Sequence, residues 1–93
     1  MSFKSGQRRL QQRNQRAILQ QAGLEKEYRR LQNRIKKEMN GAKPYLYRDI
    51  EPMSLGEFLY IIIIFSPEDD CLAKVYGLSP KDAIQAMEDW LDE

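Results

Sequence analysis

The residue types able to do chemistry are few, and the missing ones decide the most. The chain has no histidine and one cysteine, Cys71. Imidazole acid–base catalysis, the usual Cys/His zinc sites and an intrachain disulfide are therefore excluded. A Cys71 thiol has no histidine to activate it, and it opens an apolar stretch, so it reads as a small core residue. Glu68, Asp69 and Asp70 offer hard oxygen ligands, but in consecutive positions. A calcium loop spaces its ligands, so this run reads as a solvated turn. The five glycines, Gly6, Gly23, Gly41, Gly56 and Gly77, are scattered and form no phosphate-cradling loop. A non-enzymatic protein with no metal and no cofactor is expected.

What remains is charge. The net value of +1 hides a division. Residues 1–48 carry 13 Lys/Arg against 3 Asp/Glu, a balance of +10, and residues 49–93 carry 2 against 11, a balance of −9. Lys4, Arg8, Arg9, Arg13 and Arg16 precede the first acid, Glu25, with Gln7, Gln11, Gln12, Asn14 and Gln15 between them. Arginine and amide side chains contact phosphates and base edges, so this arm suits nucleic acid or an acidic protein groove. Tyr45 and Tyr47 could stack on bases, but packing on a sheet is the simpler role. At the other end Glu68, Asp69 and Asp70, with Glu88, Asp89 and Asp92, could imitate a row of phosphates. They would suit the basic groove of a nucleic-acid enzyme, and complementary charge would choose the partner. Two plainer explanations stand beside these: the halves neutralise one another, or the charge serves solubility.

These residues need elements to hold them. At 93 residues, with 42% hydrophobic and 31% charged content, the chain fits one small globular unit. The longest apolar run, Phe58 to Phe65, is eight residues, too short to span a membrane. The polar, basic start lacks the apolar segment of a secretory signal, so a cytoplasmic location is expected. From Arg8 to Met39 the pattern is helical. Leu10, Ala17, Leu24 and Leu31 recur every seven residues, with Tyr28 and Ile35 interleaved. Gly23 marks a kink or a break, and Asn40-Gly41 with Pro44 beyond marks the end. The stripe Leu24, Tyr28, Leu31 and Ile35 could also serve as the seam of a homodimer or of a larger assembly.

Residues 42–56 read as an extended connection, with a short strand near Tyr45–Arg48. Ser54 and Glu57 form a capping box for a short helix near 54–59. Phe58–Phe65 is apolar throughout and enriched in β-branched and aromatic residues, which favours a strand with both faces covered. One face belongs to the last helix, the other to the N-terminal helix or a second chain. Ser66–Asp70 is a turn, and Cys71–Leu78 is the return strand. Ser79-Pro80-Lys81-Asp82 starts the last helix, with Ser79 as cap and Pro80 in the first turn. Ala83, Ile84, Met87, Trp90 and Leu91 form its apolar face. The expected fold class is α+β: a long basic N-terminal helix, with a kink or a break at Gly23, then a small antiparallel hairpin or three-stranded sheet with a C-terminal helix packed on it. A basic helical arm (1–41) and a hairpin–helix body (42–93) would make one compact unit. The expected core is Leu24, Tyr28, Leu31, Ile35, Leu59, Ile61, Ile63, Val75, Ile84, Met87, Trp90 and Leu91.

The stretch Val75-Tyr-Gly-Leu-Ser-Pro-Lys-Asp-Ala-Ile-Gln-Ala-Met-Glu-Asp-Trp-Leu91 resembles the strand–helix step of HicB-like antitoxins and of many small proteins of phages and mobile elements. In size, charge segregation and lack of catalytic motifs, the whole chain resembles phage-encoded host-takeover proteins of the anti-CRISPR type. The resemblance implies a protein partner, an inhibitor acting by direct contact on a nucleic-acid-handling complex in the host cytoplasm. It carries over no functional residue. A DNA- or RNA-binding regulator using the basic arm is the alternative.

Overall fold

The computed structural model describes residues 5–49 and 59–93, with side chains in the first helix from Asn14 onward. The short helix expected near 54–59 lies, except for Leu59, outside the described residues. The order is α1 (Ser5–Ala22), α2 (Glu25–Glu38), β1 (Lys43–Arg48), β2 (Tyr60–Phe65), β3 (Cys71–Gly77) and α3 (Pro80–Leu91). The strands form an antiparallel sheet in the order β1-β2-β3. The fold is α+β.

Gly23 breaks the helical stretch. It adopts φ +69, the left-handed region in which a Cβ is strained. The Gly23 N–H donates to the Gln20 carbonyl (3.3 Å), and the Leu24 N–H reaches back to that of Leu19 (3.0 Å). This double return closes α1 and leaves Leu24 to open α2. The same device closes α2. Asn40 takes φ 52, and the Gly41 N–H donates to the Lys36 carbonyl at 2.9 Å. At α3 the Ser79 hydroxyl accepts from the Asp82 N–H at 3.1 Å, with Pro80 in the first turn.

All three described helices pack on one face of the sheet. Leu46, Ile62 and Ile64 point into a core shared with Leu19, Tyr28, Leu31, Ile35, Ile84 and Met87. The strand period of two sends Tyr45, Ile61, Ile63 and Phe65 to the opposite face. No described helix joins that second cluster, which corrects the expectation that the N-terminal helix covers it: that helix packs on the same face as the last one. The homodimer seam needs the same correction. Tyr28, Leu31 and Ile35 are each 1% exposed or less, and Leu24 packs against the same core. The chain's own sheet has taken that stripe, because apolar area is removed from water more cheaply within one chain than by association.

Two expected core residues lie outside. Trp90 is 38% exposed, set at the margin of the α3 face. Cys71 is exposed and free. It opens an edge strand beside the register shift that pairs Ile64 with Ala73 but Phe65 with Cys71. Leu59, Val75 and Leu91 are half-buried.

Gly77 is where strand and helix meet most closely. A Cβ there would lie 2.4 Å from the Ala83 backbone nitrogen, whereas at Gly23 it would meet nothing within 4 Å. Gly77→Ala is expected to cost about 3 kcal/mol or more, because two backbones must separate. Gly23→Ala should cost about 1 kcal/mol, from φ alone. Urea unfolding of the two variants checks both the size and the order.

Candidate nucleic-acid interface

The site is built on one side chain. Gln15 leans from α1 toward α2 and β1, and its Oε1 accepts from the Tyr28 hydroxyl (2.9 Å) and the Leu46 N–H (2.8 Å). β1 is an edge strand, so alternate N–H groups face away from β2 and need a partner. Gln15 supplies one, and so joins three elements at one point.

Around Gln15 runs a groove made of two joined clefts. One, of about 410 Å³, lies between the helices and is lined by Arg16, Gln20, Glu25 and Arg29. The other, of about 250 Å³, descends to β1 past Asn33, Lys36, Lys43 and Tyr45. Gln15 and Gln32 line both. On α2 the lining residues Arg29, Gln32, Asn33 and Lys36 stand at i, i+3, i+4 and i+7, which places them in one stripe. Seven residues at 1.5 Å each set the α-carbons of Arg29 and Lys36 about 10.5 Å apart along the axis. Four cations, Arg16, Arg29, Lys36 and Lys43, face one anion, Glu25, across this groove. Among the described residues none of the four makes an ion pair.

The opposite flank of α2 is neutralised instead. Arg34 donates to Glu38 at 2.7 Å and to Asp92, the residue that follows α3. The Asp92 carboxylate first, and Glu38 next, hold the guanidinium above its ordinary value. Burial pushes the Tyr28 hydroxyl far above the usual phenol range. Nearby Tyr45 adds to the rise, and the Leu46 N–H opposes it.

The arm and the acidic residues divide as follows. Arg16 is on the groove. Arg8, Arg9 and Arg13 stand on α1, and their side chains, with all of Lys4, lie outside the described residues. Glu68, Asp69 and Asp70 form the β2–β3 tip, where the Ser66 N–H donates to the Asp70 carbonyl (2.8 Å) and Asp69 takes φ 70. Asp69 shares a cleft with Lys43 and Tyr45, which brings the tip against the lower end of the groove. Glu88, Asp89 and Asp92 are on or just beyond the last turns of α3. Asp89 accepts from Gln85 at 3.0 Å and Asp92 is tied to Arg34. Trp90, Leu91 and Glu93 border another cleft with Glu38 and Met39. Tyr45 packs edge-on against Phe65, ring centres 5.6 Å apart.

The groove's α2 wall escaped the sequence reading, which gave the basic role to the arm alone. Its signal was present. Arg29, Gln32, Asn33 and Lys36 repeat the helical spacing of Tyr28, Leu31 and Ile35 with the phase turned outward. Chemically, four cations and several side-chain amides on one surface suit an oxyanion. Among the described residues no cluster of His, Cys, Asp or Glu could hold a metal ion, and no helix is long and apolar enough to cross a membrane. No protein-family model, curated protein or solved structure matches this chain. The fold and the groove define its class on their own: a small α+β protein whose paired N-terminal helices and edge strand make one basic channel.

Tyr28 yields a pH prediction. Its folded value is raised, so its stabilising contribution is complete below about pH 10, the unfolded value. Above that pH the unfolded chain releases the proton and the folded chain keeps it. Stability then falls by up to about 1.4 kcal/mol per pH unit. Tyr28→Phe removes this dependence and costs about 1 kcal/mol at neutral pH through the lost hydrogen bond. Urea unfolding at about pH 9 and about pH 11 should show the wild type losing more stability than the variant.

Proposed function

We propose that this protein is a non-catalytic nucleic-acid-binding regulator whose α1–α2–β1 groove grips backbone phosphates. The observation that carries the reading is the set Arg16, Arg29, Lys36 and Lys43, gathered on one groove with no ion pair among the described residues. Guanidinium groups meet phosphate oxygens in pairs, and ammonium groups add point charge. Binding releases counterions from the nucleic acid, so the attraction is sequence-independent and sensitive to salt. Gln20 and Asn33 add hydrogen bonds to the backbone. Occupying nucleic acid in this way would exclude a competing complex from the same stretch.

A second reading rests on α3. Trp90 is 38% exposed and sits among Glu88, Asp89 and Glu93. An aromatic anchor within an acidic rim suits a protein partner with a basic surface, such as a nucleic-acid enzyme held inhibited by direct contact. The two readings separate in a nuclease inhibition assay. A groove that masks nucleic acid inhibits in proportion to substrate, and an acidic mimic inhibits in proportion to enzyme.

Fluorescence anisotropy with a short labelled DNA duplex tests the first reading. Four phosphate contacts predict a slope of about −3.6 for log affinity against log salt. The double variant Arg29→Glu, Lys36→Glu changes two exposed side chains, so it should keep the circular dichroism of the wild type and bind at least about tenfold more weakly. A duplex affinity that ignores salt, or that survives this double reversal, would sink the groove as the contact surface.

A further inference from the structure

The side-chain amide of Gln15 has two ends, and the fold uses one. The Leu46 N–H can only donate, so the atom that meets it must be Oε1, and the same oxygen also accepts from the Tyr28 hydroxyl. This fixes which way the amide is turned. Nε2, with two N–H donors, has no hydrogen-bond partner among the described residues. Gln15 also lines both clefts, at their junction, between Arg16 on one side and Lys36 and Lys43 on the other. An oriented pair of donors among cations is matched by an anionic oxygen.

The geometry points to Gln15 as the residue that seats one backbone phosphate of a bound nucleic acid, its Nε2 donating to a phosphate oxygen at the floor of the groove. This deepens the groove reading and rests on it. The cations supply attraction from a distance, through long side chains that follow the ligand. Gln15 is different, because two hydrogen bonds from elements other than its own hold it in place. It therefore defines where along the groove a phosphate stops, and it is a positioning residue rather than a source of net charge.

The amide itself gives the test without mutation. The Gln15 side-chain NH2 signals, followed by ¹⁵N–¹H NMR, are expected to shift on titration with a short DNA duplex at low salt. Inorganic phosphate at the same phosphate concentration should move them far less. An equal response to inorganic phosphate would overturn the assignment in favour of a small-anion pocket. Gln15 signals that stay still while the backbone amides of Arg29 and Lys36 shift would overturn the inference and leave the groove reading standing. No shift anywhere in the groove would remove both.

A matched pair of variants adds a second readout. In Gln15→Glu the carboxylate still accepts from Tyr28 and Leu46, so the fold is kept while both donors are lost. Gln32→Glu makes the same change of charge in the same groove. Gln15→Glu is expected to bind the duplex about tenfold more weakly than Gln32→Glu, with both melting like the wild type. Equal losses would show charge alone at work and overturn the role given to Gln15.

Discussion

A sheet edge leaves backbone N–H groups without a strand to receive them, and the N-terminal half of this protein is arranged around one of them. The Leu46 N–H, facing outward from β1, finds its acceptor in Gln15 of α1, which also accepts from Tyr28 of α2. An unpaired buried donor costs about 1–3 kcal/mol, so this contact fixes the placement of α1 together with its buried Leu19. The helix covers the edge, which also removes it as a template for another chain. Because α1 is held by a polar side chain and not by a broad apolar seam, the space between α1 and α2 stays open and polar. The groove is a consequence of how the edge was closed.

The helix ends follow from backbone geometry at a few positions. Gly23 and the pair Asn40-Gly41 take positive φ and return their N–H groups to the preceding turns. Each reversal turns the chain sharply enough for α1, α2 and β1 to be neighbours in sequence and in space. At the other end of the molecule the close approach of Gly77 to Ala83 lets α3 fold straight back on the sheet. The charged side chains ride on this frame. The flank of α2 that meets α3 is the one where Arg34 finds Asp92, and the flank that meets α1 is left with cations facing a groove.

Much of the fold was legible because its signals are local. The break at Gly23, the cap at Ser79, the strand near Tyr45–Arg48 and the β2–β3 hairpin each rest on residue types with one favoured backbone geometry. The failures are all questions of which partner a face meets. A stripe such as Leu24, Tyr28, Leu31 and Ile35 states that it will be buried, and says nothing of whether a sheet or a second helix buries it. β2 is apolar on both faces, so its sequence could not tell which face would meet the helices. Cys71 is expected inward from its place in an apolar strand and Trp90 from helical periodicity, but one opens an edge strand beside a register shift and the other sits at the margin of a helix face, and both are exposed. The candidate site was half legible. The basic bias of the N-terminal half was plain, yet Gln15 looked like one polar residue among many, and only the edge of a strand distant in sequence gives it a role.

The charge division gains a physical meaning from this arrangement. Halves of +10 and −9 would cancel as a field if their side chains interleaved. Arg34 does interleave, bound between Glu38 and Asp92, and the Asp69 tip approaches Lys43 at the lower end of the groove. Among the described residues that line the groove, Arg16, Arg29 and Lys36 have Glu25 as the one acid. At physiological salt, fields fade over about 8 Å, so a distant acidic helix does little to cancel them. The molecule is therefore near neutral to anything far away and strongly polar to anything in contact. Long-range steering is weak, while a phosphate chain that reaches the groove meets an unscreened local field with an oriented donor beneath it. Such a surface favours contacts made at close range over capture from a distance.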